Sequence, residues 1–153
     1  MIIKRAIKII IIAAISICVF FVSKPTSIVD AHRMKSGFSA LLIKNPPFTD
    51  KGKISWWLKN KEQIRTRFNI PEPDGEGTYT VVILNIDTGY KIDRGIDEDS
   101  DLLCFDDIGT NQNCINKDWV MDVTLLRNGE IRYRFDKKSF LQLPNGTISQ
   151  EIR

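Results

Sequence analysis

The chain has 153 residues, of which 42% are hydrophobic and 27% charged, the balance of one folded domain rather than a disordered segment. Its formal charge of +3 equals the charge of Lys4, Arg5 and Lys8 alone, so residues 9–153 are neutral and composition gives no support to nucleic-acid binding.

After those three bases comes an unbroken apolar run, Ile9-Ile10-Ile11-Ile12-Ala13-Ala14-Ile15-Ser16-Ile17-Cys18-Val19-Phe20-Phe21-Val22, closed by Ser23 and Lys24. Its length lies between a cleavable signal and a span, since a bilayer-crossing helix needs about 17–25 residues. No Ala-x-Ala follows the run, and the best cleavage candidate, Val29-Asp30-Ala31, is distant and poor. A lipoprotein reading fails at Ile17, where a small residue is required before Cys18. Lys8 and Lys24 can snorkel outward and lengthen the usable span. The sequence thus predicts an uncleaved anchor over residues 1–23. The crowding of positive charge before the run places Met1 in the cytoplasm and exports residues 24–153 as one domain.

Cys18 belongs to the apolar run, which leaves Cys104 and Cys114 as a pair in a polar loop with nine residues between them. In an oxidising compartment this pair is expected to bridge. The alternative is two reduced, unrelated cysteines; a metal site would need further ligands, and the single histidine, His32, is far away in sequence.

The exported part opens with two predicted strands, Ile28 to Arg33 and Phe38 to Ile43, turning at Ser36-Gly37 and stopped by Pro46-Pro47. A helix follows, capped by Thr49 or Asp50, with Ile54, Trp57, Leu58, Ile64 and Phe68 as its buried stripe before Ile70-Pro71 ends it. Tyr79 to Ile86 reads as a strand that turns at Asp87-Thr88-Gly89 into Tyr90-Lys91-Ile92 as a second hairpin. The loop from Asp93 to Asn116 is acidic. Trp119 to Leu126 and Glu130 to Phe135 form a third hairpin. A three-residue loop with Gly129 at positive φ pairs Leu125 with Ile131, Val123 with Tyr133 and Met121 with Phe135, and sets Asp122 opposite Arg134. A final hairpin turns at Pro144-Asn145-Gly146. The expected architecture is therefore α+β: an N-terminal transmembrane helix, then an antiparallel β-sheet of hairpins with one long helix packed on it.

The stretch Asn45-Pro46-Pro47-Phe48-Thr49-Asp50-Lys51-Gly52-Lys53-Ile54-Ser55-Trp56-Trp57-Leu58-Lys59-Asn60-Lys61, followed by Asn69-Ile70-Pro71-Glu72-Pro73, resembles the enterobacterial putative membrane proteins of domain of unknown function 943. Asp87-Thr88-Gly89-Tyr90-Lys91, Leu103-Cys104-Phe105-Asp106-Asp107 and Asn113-Cys114-Ile115-Asn116-Lys117 fit as well. The resemblance runs from the anchor to about residue 135 and is most specific through Trp56-Trp57. It implies a single-pass protein of the bacterial inner membrane with a periplasmic domain, and brings no activity or catalytic residue with it.

Each candidate for chemistry weakens on inspection. Nothing pairs His32 with a nucleophile, so it reads as a plain surface or hairpin histidine. Asp97-Glu98-Asp99-Ser100-Asp101 begins like a calcium loop, yet Leu102 stands where glycine is needed and Ile108 where glutamate is needed. No catalytic residue, metal ligand or cofactor is expected. Charge is more informative. From Asp93 to Asp107 seven acids face only Arg94, whereas the helix from Asp50 to Phe68 carries six bases against Asp50 and Glu62. These patches either keep the protein soluble, face each other within the fold, or recognise a partner. In the last reading the partner surface comprises Asp97, Glu98, Asp99, Asp101, Asp106 and Asp107, with Trp56 as a second element at a partner or the membrane surface. Adjacent on a helix, Trp56 and Trp57 point about 100° apart, so Trp57 takes the core and Trp56 is covered by Pro46-Pro47 or left outside. The expected function is a membrane-tethered, protein-binding module of the periplasm, of an immunity type or an accessory of an envelope complex. The alternative is a periplasmic enzyme or small-ligand sensor.

Overall fold

The computed structural model describes Ile7, Ile10 and residues 24–151. The anchor expected over residues 1–23 lies outside the described residues, apart from those two isoleucines. Among the described residues no helix is long and apolar enough to cross a membrane.

A hairpin comes first, β1 (Ser27–Lys35) and β2 (Phe38–Lys44), antiparallel and turned at Gly37, whose φ of 76° suits a residue without Cβ. The helix α1 (Asp50–Phe68) then leads to β3 (Tyr79–Asn85). Of the two proposed caps it is Thr49 that acts, its hydroxyl accepting from the Gly52 N–H, and Asn69 closes the helix in the left-handed region with its N–H on the Arg65 carbonyl. The remaining strands are β4 (Leu102–Cys104), β5 (Cys114–Asn116), β6 (Trp119–Leu125), β7 (Ile131–Arg134), β8 (Ser139–Gln142) and β9 (Ile148–Gln150).

Seven strands form one sheet in the order β1-β2-β3-β6-β7-β8-β9, and β4 with β5 forms a separate two-stranded ribbon. The large sheet is mixed, which corrects the expectation of an antiparallel one: β2 and β3 run parallel. The cause is α1, because two strands joined by a crossover helix enter the sheet in the same direction. The second hairpin is also corrected. Both edges of β3 are occupied, by β2 and β6, so Tyr90-Lys91-Ile92 finds no place beside it, and Lys91 instead bridges Cys114. The third hairpin has the expected register, with Leu125 opposite Ile131, Val123 opposite Tyr133 and Asp122 opposite Arg134. The final hairpin turns through residues 143–147, where Gly146 has a φ of 89°.

Two layers cover the sheet, one on each face. Leu41 and Ile43 of β2, Val81 and Ile83 of β3, Met121 and Val123 of β6 and Tyr133 of β7 meet Ile54, Trp57 and Ile64 of α1. The alternate residues Ala40, Leu42 and Leu84 meet Phe105 and Ile115 of the long segment between β3 and β6. Coverage on both sides explains why Ala40 to Ile43 is apolar without alternation. Leu58 and Phe68, expected in the helix stripe, are half-buried at its margins, as is Trp56, which packs against the same core.

Candidate functional site

The segment between β3 and β6 has little regular structure, and three kinds of contact fix it, one within the segment and two to the sheet. One is covalent. Cys104 and Cys114 lie opposite each other on β4 and β5 and are bridged, with an S–S distance of 2.04 Å, the pairing expected from sequence. A second is apolar, the cluster of Phe105 and Ile115 with Leu103 and Ile108 on the sheet face.

The third is polar and starts from β1. Asp30 and His32 are two residues apart on one strand and therefore share a face, the one that Ala40 and Leu42 present to the loop. His32 is only 3% exposed, which corrects its reading as a plain surface or hairpin histidine. Its ring stacks on Phe105 at 4.0 Å. Nδ1 lies 2.9 Å from both carboxylate oxygens of Asp107, and Nε2 lies 2.7 Å from the Tyr90 hydroxyl. Tyr90 in turn donates to Asp30 at 2.9 Å. The four groups thus form a series, Asp107 to His32 to Tyr90 to Asp30, that ties residues 90 and 107 of the loop to the edge strand. With the phenol proton given to Asp30, the Tyr90 oxygen is left to accept from the imidazole. Burial, then the hydrogen bond to Asp30, then the charges of Asp30 and Asp107 push the Tyr90 phenol well above its ordinary value, so Tyr90 holds its proton as a donor.

A buried His between a carboxylate and a tyrosine has the parts of a proton relay, but among the described residues no serine, cysteine or lysine joins the series. What it does is position the loop. Among the described residues no group of three or more His, Cys, Asp or Glu side chains is suited to a metal ion.

The acidic residues named from sequence divide into two groups. Asp99 and Asp107 are paired, Asp99 with Arg94 at 2.9 Å and Asp107, itself exposed, with His32. The Arg94 side chain and backbone N–H hold the Asp99 carboxyl below its ordinary range. Asp97, Glu98, Asp101 and Asp106 are exposed, and none of them forms an ion pair among the described residues. None of the ion pairs of α1, such as Asp50 with Lys138, reaches the loop. The basic helix and the acidic loop cover opposite faces, so the sheet keeps the two charge patches apart. Trp56 accordingly belongs to the helix layer and is not brought together with the acids.

Beside the disulfide an open cavity of about 480 Å³ is lined by Arg33, Met34, Lys35, Phe38, Cys104, Phe105 and Asp106. It lies where the β1–β2 turn meets the loop. Sequence reasoning missed it together with the Asp30, His32 and Tyr90 cluster. The available signal was the unbroken apolar run of β2: strands buried on both faces require that a histidine on the neighbouring strand be covered and partnered.

The family model for Enterobacterial putative membrane protein (DUF943) matches residues 2–151. No curated protein and no solved structure matches the chain. The family match spans the apolar run, the helix with Trp56-Trp57 and the whole clamped loop, and the chain belongs to the Enterobacterial putative membrane protein family.

Proposed function

We propose that this protein is a binding module tethered to the bacterial inner membrane by residues 1–23, with residues 24–153 in the periplasm and the clamped acidic loop as the docking element for a basic protein partner. The observation that carries the reading is the state of Asp97, Glu98, Asp101 and Asp106: exposed, without ion pairs among the described residues, and mounted on a segment fixed by a disulfide and a buried polar series. A solvated loop does not need such bracing, whereas a docking surface gains affinity when its geometry is set before the partner arrives. An immunity-type protein that neutralises a basic toxin and an accessory subunit of an envelope complex both fit this chemistry.

The test captures partners from envelope extract with the full chain in nanodiscs, as wild type and as the Asp97→Asn, Glu98→Gln, Asp101→Asn variant. Association kinetics on the captured protein follow. Charges at the rim of an interface act mainly on encounter, so the variant should associate several-fold more slowly at low salt, and the gap should close towards about 0.5 M salt. Equal rates at low salt would remove the acidic loop as the docking element.

A second reading, a small-ligand sensor, rests on the cavity beside the disulfide, whose Phe38 and Phe105 walls and Lys35 cation suit an apolar carboxylate. Binding of such a compound that is lost on Phe38→Ala would favour it over the docking reading.

A further inference from the structure

The described chain begins beside one particular end of the sheet. The Thr26 hydroxyl donates to the Asn45 carbonyl at 2.6 Å, and Ser27 pairs with Lys44, so the chain enters where β2 ends and α1 is about to begin. Only three residues lie between Val22, the last of the apolar run, and Thr26, and the four Cα steps reach at most about 14 Å even when fully extended. Three residues beyond Asn45, within about 11 Å of it along the chain, stands Phe48. Phe48 is 94% exposed, far more than any other large apolar residue among those described from 24 to 151. Yet it is held in place: Pro46 and Pro47 before it are half-buried, and Thr49 after it is engaged as the helix cap. A rigid backbone thus presents one bare aromatic ring at the end of the domain nearest the apolar run.

Register places the same end elsewhere in the sheet. Ile43 lies opposite Asn85, whose side chain donates to Asp118, and the turn of residues 136–138 adjoins the start of α1 through the ion pair of Lys138 with Asp50. Exposed Lys44, Lys51, Lys117 and Lys137 lie towards this end of the domain, with Asp87, Asp118 and Asp136 among them. Lysines of this kind can reach phosphate oxygens while an aromatic ring takes the layer between headgroups and acyl chains.

We infer that this end of the domain is seated on the membrane, with Phe48 inserted at the headgroup level of a phospholipid surface. The inference rests on the tethered reading given above and adds an orientation to it. The β1–β2, β6–β7 and β8–β9 turns lie at the opposite end, so the cavity beside Phe38 points away from the lipid and stays open to the periplasm. A domain on so short a tether has a fixed side for its partner rather than a tumbling one.

The test uses the full chain with Cys18→Ser and one nitroxide label, in nanodiscs of equal parts phosphatidylcholine and phosphatidylglycerol. Labels go at Phe48→Cys, at Asn145→Cys in the β8–β9 turn as the distal control, and at Ile12→Cys in the apolar run. The ratio of oxygen to water-soluble nickel accessibility reports depth. The expected result is a ratio at position 48 several-fold above that at 145, with position 12 higher still. Equal ratios at 48 and 145 with position 12 in the bilayer would overturn the seating and leave the tether standing. A water-exposed position 12 would overturn the tether and the seating together.

Discussion

The two faces of the sheet are covered by different physics. On one, α1 lays Ile54, Trp57 and Ile64 onto seven buried side chains of four strands, and dispersion with apolar burial suffices. On the other, the segment after β3 offers Ile86, Phe105 and Ile115 as buried apolar contacts, and it adds a disulfide and the series from Asp107 through His32 and Tyr90 to Asp30. This cover adds directional contacts with the edge strand to its apolar ones, and the bridge fixes the shape of the loop itself. The lesson is that the helix face sets global stability, whereas the loop face sets where the acidic residues stand.

The difference is sharpest at Trp57, 1% exposed in the helix-side core. Trp57→Ala should lower unfolding free energy by about 3–5 kcal/mol, read as a shift in the denaturant midpoint of the full chain in detergent micelles. A loss near that expected for the loop variants below would break the comparison. Cys104→Ser with Cys114→Ser should cost about 2–3 kcal/mol, since the bridge closes a loop of sequence separation 10. The same midpoint measurement checks it. An unchanged midpoint would mean that the bridge adds nothing to the loop's hold.

Tyr90→Phe removes the hydroxyl between His32 and Asp30 and should cost about 1–2 kcal/mol, because a buried ring nitrogen loses its partner. The pH dependence has a definite sign. A phenol whose folded value lies above its unfolded one contributes stability below about pH 10, lost as pH rises through the folded value. The wild-type loop should therefore loosen only in strong alkali. Tyr90→Phe should lack that alkaline step when tyrosinate absorbance and loop exchange are followed together. The smallest effect belongs to the exposed acids: Asp97→Asn and Asp101→Asn should each shift stability by no more than about 0.5 kcal/mol in thermal melts. A larger loss would place these carboxylates in the fold rather than on a docking surface.

Much of the helix face was legible from sequence, because its signals are local. A cap at Thr49 or Asp50, Trp57 at helical spacing and the three-residue loop at Gly129 each depend on neighbours within a few positions. The bridge between Cys104 and Cys114 followed from compartment and spacing. The parallel pairing of β2 with β3 was missed because the loop between α1 and β3 does not say on which edge the next strand docks. The series at His32 joins residues 58 and 75 positions away from it, and no local pattern encodes such contacts. The same distance hid the pairing with His32 of Asp107, which sequence had grouped with the acids of the partner surface.

Hydrogen exchange on the full chain in nanodiscs tests the central contrast most directly, comparing wild type with a Tyr90→Phe, Cys104→Ser, Cys114→Ser variant. The loop account predicts that amides from 90 to 116 lose protection while those of β2, β3 and β6 keep theirs, as expected of a cover released from an intact sheet. Loss of protection across the sheet and helix together would show that the two faces are one cooperative unit, and unchanged protection in the loop would show that neither the bridge nor the polar series holds it.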